Sequence, residues 1–114
     1  MRNNCRDLLF YLILDMQFQK TLPLIGYDAF VDKVKQVENF TSAQGRRYEV
    51  DAVFNDTLYF RRMDAGETPW DLDLKQTYKA YLELDRFETE DFRPYVERRH
   101  SPARGLLLCL ELIG

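Results

Sequence analysis

The residues with the most chemical potential in this chain lie in the stretch RPYVERRHSPARG, where Arg93, Arg98, Arg99 and Arg104 gather around the only histidine, His100. Ser101-Pro102 inside it has the form of a helix start, with a hydroxyl as cap and a proline at the first helical position. A helix N-terminus presents free backbone N–H groups and a partial positive charge, so arginines placed there work against the dipole. An anion relieves that conflict, and backbone donors together with guanidinium forks suit a phosphate. Arg46, Arg47 and Arg62 are available to extend the patch, with Tyr48 and Tyr59 as stacking surfaces for bases. The competing explanation is structural: Glu88, Glu90, Asp91 and Glu97 lie close enough in sequence to neutralise the arginines, and charged flanks keep apolar elements soluble.

Other chemistries have less to draw on. One histidine cannot build a multi-histidine metal centre, and the sequence contains no glycine-rich phosphate loop, nucleophile elbow or paired-cysteine motif. Cys109 falls within an apolar helix, where a thiol is a packing residue and not a nucleophile for His100 to activate. Asp71 and Asp73, and further on Glu88, Glu90 and Asp91, raise the question of a carboxylate metal site. Helix capping already accounts for all of them except Asp71. No catalytic residue, metal or cofactor is therefore assigned, and the chain is read as a non-enzyme.

Composition narrows the field further. With 114 residues, 46% hydrophobic, the chain has the size and apolar content of one folded domain. A net charge of -3 argues against a general polyanion binder, so nucleic-acid binding would need a local basic patch. Cys5 and Cys109 stand near opposite ends without the close spacing of redox or metal pairs, and both are read as reduced thiols. The apolar run Leu8 to Leu14 is too short to span a bilayer and lacks the cleavage site of a secretory signal, so no membrane role is expected and the cytoplasm is the expected location.

The elements that must position these residues follow from periodicity. Cys5, Leu8, Leu9, Leu12, Ile13 and Met16 fit a helical stripe with Asn3 or Asn4 as cap, the even-numbered apolar positions from Leu8 to Phe18 also fit a strand, and residues 1–15 are also readable as a peripheral extension. Tyr27, Phe30, Val31, Val34 and Val37 mark a second helix ending near Asn39. FTSAQG suggests a short strand closing on Gly45. YEVDAVF then alternates, with Tyr48, Val50, Ala52 and Phe54 on the inward face, and TLYFRRM follows with Leu58 and Phe60 inward. A three-residue loop, Asn55 to Thr57, aligns those apolar sets and places Asp51 across from Arg61. Pro69 marks TPWDL as an edge strand or as an extended segment only. Asp73 caps a third helix with Leu74, Tyr78, Tyr81 and Leu82 on one face, and Thr89 opens a short turn holding Phe92 and Tyr95. The last helix, PARGLLLCLELI, is apolar all round and must be buried inside the domain or against another subunit.

The expectation is a single α+β domain over residues 1–114: a small antiparallel meander of three or four strands packed against about four helices, including the apolar C-terminal one. Its leading functional reading is a binding or accessory domain that acts through protein-protein contacts, with a second copy of the chain among the candidate partners. Nucleic-acid or phosphate-ligand binding through Arg93, Arg98, Arg99, His100, Ser101, Arg104, Arg46, Arg47 and Arg62 is the alternative.

Overall fold

The computed structural model describes residues 3–4, 19–42, 45–64 and 69–114. Five strands, β1 (Asn3–Asn4), β2 (Val37–Thr41), β3 (Arg47–Phe54), β4 (Thr57–Arg62) and β5 (Pro69–Asp73), form one sheet in that spatial order. Strands β2 to β5 make an antiparallel meander, and β1 adds to β2 in parallel. The described helices are α1 (Tyr27–Val34), α2 (Leu74–Glu83) and α3 (His100–Cys109), with a 3-10 turn at Thr89–Phe92. The architecture is α+β as the sequence implied, with three described α-helices in place of about four. The helical stripe expected from Cys5 to Met16 lies outside the described residues, and Asn3 and Asn4, expected as a helix cap, are paired in the sheet.

Alternation of side chains sets the core. Phe40, Tyr48, Leu58, Phe60 and Leu72 project from one face of the sheet and are buried. They meet Phe30 and Val34 of α1, Leu74, Ala80 and Tyr81 of α2, and Ala103, Leu106 and Leu107 of α3 in one apolar cluster. Phe40, Tyr48 and Phe60 form a mutually edge-on or tilted aromatic group with centroids 5.1 to 5.5 Å apart. Helix α3 is buried continuously from Pro102 to Leu108 within this one chain. No second subunit is needed to cover that segment.

Several local expectations are corrected. Helix α1 stops at Val34, because Val37–Thr41 form β2, in which Asn39 to Thr41 pair with β3 (Phe40 opposite Tyr48) and Val37 pairs with Asn3. Residues 34 and 37 fit a helical stripe, whereas 37 to 41 satisfy more backbone groups as a central strand. The β3–β4 connection has two residues and not three: Phe54 faces Thr57, and Asn55 and Asp56 both take positive φ, 52° and 56°. Such a turn matches the right-handed twist of the flanking strands, and Asn and Asp tolerate the left-handed region. The ladder regains its apolar register through a bulge at Asp51, between the Val50–Phe60 and Ala52–Tyr59 pairs. The bulge reverses the facing of the strand end. Val53 turns inward opposite Leu58, while Ala52 and Phe54 turn outward, contrary to the simple alternation.

Other caps also differ. Asp73 does cap α2, its Oδ1 accepting from the Gln76 N–H at 3.0 Å, but Leu82 lies 40% exposed while Thr77 and Ala80 fill the buried face. Helix α3 begins at His100 with Arg99 at the cap position, so Ser101 is in its first turn and not the cap. Pro102 is accommodated because first-turn N–H groups have no intrahelical acceptor. The thiol reading is corrected as well: Cys109 is disulfide-bonded, and Cys5 lies outside the described residues. Sequence separation says nothing about distance in space, and disulfides persist in oxidising surroundings, so the cysteines lend no support to a cytoplasmic location. No helix among the described residues is long and apolar enough to cross a membrane.

Candidate functional site

The arginine-rich stretch does not form one patch. Arg99 lies with its guanidinium carbon 4.6 Å from the centre of the Trp70 ring, donates through Nε to the Asp71 carbonyl at 2.8 Å, and stands 3.7 Å from the Asp71 carboxylate. Strand β5 is a sheet edge, and Arg99 occupies one of its carbonyls, the arrangement by which proteins blunt edge-to-edge pairing. Arg62 also approaches Trp70, at 5.9 Å, and binds Asp64 through Nε at 3.1 Å. Arg62 and Arg99 thus meet at the single tryptophan, a convergence that sequence spacing did not show.

The remaining arginines diverge. Arg104 is 6% exposed, donates to the Thr89 hydroxyl at 3.4 Å, and has its guanidinium pKa lowered by burial, against the opposing charges of Glu88 and Asp91. It ties α3 to the 3-10 turn. Arg93 pairs with Glu90 at 3.1 Å on the surface. Arg46, Arg47 and Arg98 are exposed and make no ion pair among the described residues. Arg98 has a φ of 67° and offers its carbonyl to Arg99. Ser101 and His100 are partly buried, and the His100 Nδ1 has no hydrogen-bond partner among the described residues. Tyr48 is buried in the core, so it is not a stacking surface, whereas Tyr59 is on the outer face.

That outer face holds the feature the sequence reading missed. Phe54 is 56% exposed and stacks on Tyr59 with ring centroids 5.0 Å apart and planes 27° from parallel. Exposed Ala52 lies opposite Tyr59. An aromatic pair of this kind in water has no role in the core, which sits behind the other face of the sheet. Its ends are charged. On one side Arg61 binds Asp51 at 2.9 Å and Glu49 at 3.0 Å, so one cation faces two carboxylates. On the other, Asp71 pairs with Tyr59 and Asp73 with Thr57 across the β4–β5 ladder.

Asp71, Asp73 and Thr57 also line an open cleft of about 280 Å³ together with Tyr95, Glu97 and Arg99. That size is below the roughly 300–1,000 Å³ of drug-sized ligand pockets. It suits one side chain better than a small-molecule substrate. The hairpin carrying Phe54 is anchored from behind, since Tyr27 donates to Asp56 at 2.7 Å and Lys75 approaches the same carboxylate at 3.6 Å. Burial and that hydrogen bond push the Tyr27 phenol well above its ordinary pKa.

The signal for this face was present in the sequence but depended on the turn. Two residues with φ above zero at Asn55-Asp56 require a compensating bulge, and the bulge decides which way Phe54 points. No protein-family model, curated protein or solved structure matches the chain.

Proposed function

We propose that this is a non-catalytic binding or accessory domain that acts through protein-protein contacts, with the outer face of the sheet around Phe54 and Tyr59 as its contact surface. The observation that carries the reading is the stacked aromatic pair of exposed Phe54 and half-buried Tyr59, on a hairpin tied back by Tyr27 and Lys75. Aromatic residues are enriched at the centres of protein interfaces, where they supply large area at small conformational cost. Self-association is one form the reading takes, but its support moves from α3, which the chain covers by itself, to this face.

Nucleic-acid or phosphate binding stays as the second reading because Arg46, Arg47 and Arg98 are exposed without an ion pair among the described residues. Arg62, Arg93, Arg99 and Arg104 already have partners within the chain. The discriminating experiment is an anisotropy titration against mixed single- and double-stranded DNA and RNA at low salt, repeated near about 0.2 M. The expected result is no specific binding. Binding that collapses with salt and is lost in Arg46→Ala/Arg47→Ala or in Arg98→Ala puts the second reading in place of the first.

A further inference from the structure

We infer that the partner segment docking on the outer sheet face is basic, with a large apolar residue next to a lysine or arginine. This rests on the protein-binding reading above and specifies the partner's chemistry.

The apolar half of the inference comes from Phe54 and Tyr59. Their stacked rings lie on the outer face with Ala52 beside them, a platform on which an aliphatic or aromatic side chain excludes water. The basic half comes from the charges at the ends of that platform, chiefly from the cleft. Glu49 and Asp51 share the single guanidinium of Arg61 at one end. At the other, the cleft collects the carboxylates of Asp71, Asp73 and Glu97 against one guanidinium, Arg99. The cleft, with three acidic residues to one arginine, therefore carries excess negative charge, whereas exposed Arg47 lies on the same strand face as Glu49 and offsets the first border. The cleft attracts a cationic partner and rejects an acidic one.

Register places the two halves side by side. Thr57 pairs with Phe54 and Asp71 with Tyr59, and both Thr57 and Asp71 also line the cleft. A residue resting on the rings has its neighbour within reach of the cleft. Arg99 shows how such a guest binds: it donates to the Asp71 carbonyl and stands 3.7 Å from its carboxylate. A partner guanidinium or ammonium would pair with the Glu97 carboxylate and with the Asp73 carboxylate oxygen that the Gln76 N–H does not occupy.

The probe is a displayed library of random peptides about twelve residues long, followed by anisotropy titration of the enriched sequences made as free peptides. Enriched peptides are expected to carry Lys or Arg adjacent to Leu, Ile, Met or an aromatic residue. Their affinity is expected to fall at least tenfold on Phe54→Ser, at least tenfold on Asp71→Asn/Glu97→Gln, and markedly from about 0.05 M to about 0.5 M salt. Phe54 and Glu97 are exposed, so a thermal melt of each variant verifies that folding is retained.

Enrichment of acidic or uncharged peptides, indifference to these substitutions, or no enrichment at all overturns the inference. A protein adduct trapped in cells by a photo-reactive phenylalanine analogue at position 54, alongside any of those outcomes, leaves the protein-binding reading standing and removes only the basic partner. Enrichment of a peptide copied from this chain's own sequence points to self-association and also overturns the inference.

Discussion

Replacing Gly105 by alanine should destabilise the domain even though it improves a helix. Gly105 lies midway along α3, where the helix crosses the end of β2. A β-carbon there would sit 2.8 Å from the Ser42 Cα and 3.0 Å from the Thr41 carbonyl carbon, and closer still to the Thr41 carbonyl oxygen. Ordinary carbon contacts begin near 3.5 Å, so the overlap is about 0.7 Å against the nearest carbon. Both sides of the clash are backbone, so no rotamer change relieves it. Helix α3 would have to move, and residues 102–108 are buried, so the shift would spread through the core.

Alanine gains roughly 1 kcal/mol over glycine in helix propensity. Overpacking of a filled core costs about 1–3 kcal/mol, and more where backbone must move. The expected net loss is about 2 kcal/mol, which for a chain of this length lowers Tm by about 8 °C. Urea and thermal unfolding measure it, with an unchanged m-value showing that the effect is on stability. Gly26, which has nothing within 4 Å of its built β-carbon and occupies the α1 cap position, is the control. Gly26→Ser should be neutral or slightly stabilising. A Gly105→Ala protein as stable as the parent, or more stable, refutes the close approach of α3 to β2.

Arg99→Ala removes a stacked guanidinium and an edge hydrogen bond, and should cost about 1–2 kcal/mol while raising acrylamide quenching of Trp70, the sole tryptophan. Unchanged quenching refutes the stack. Arg86, hydrogen-bonded to Asp91, holds that carboxyl below the ordinary range, aided by the Glu88 N–H and by the charges of Arg86 and Arg104. A depressed folded pKa contributes stability above the unfolded value near 3.9 and loses it as pH falls through the folded one. Asp91→Ala should therefore cost on the order of 1 kcal/mol at neutral pH, with the gap to the parent closing below about pH 4 in pH-dependent urea melts. Reduction of the Cys109 disulfide should lower stability by about 2–4 kcal/mol, as read by melts with and without a dithiol reductant. A freely titrating Cys109 thiol in the oxidised protein contradicts that bond.

Legibility in the sequence followed the range over which each feature is determined. The β3, β4 and β5 strands, the Leu58 and Phe60 inward pair, the edge position of Pro69 and the Asp73 cap depend on a few neighbouring residues, and the structure has them where periodicity put them. Periodicity alone overextends helix α1, because Val34 and Val37 satisfy a helical spacing that sheet pairing overrides. Simple alternation gives the wrong direction for Phe54, because one residue fewer in the turn is compensated by a bulge that inverts the facings between the two. The arginines illustrate a different limit. Arg98 and Arg99 are adjacent in sequence, yet one is exposed with positive φ and the other is folded against Trp70. Neither the meeting of Arg62 with Arg99 nor the fit of Gly105 over Thr41 leaves a local trace, since each depends on which elements become neighbours.

The central claim is that Phe54 marks a protein-binding face. It is tested most directly by placing a photo-reactive phenylalanine analogue at position 54, and separately at Arg98, and irradiating cells that express the full chain. The account predicts a discrete, nuclease-resistant protein adduct from position 54 that is absent when the analogue sits at Arg98. No adduct at position 54, together with a nuclease-sensitive adduct at Arg98, would contradict it.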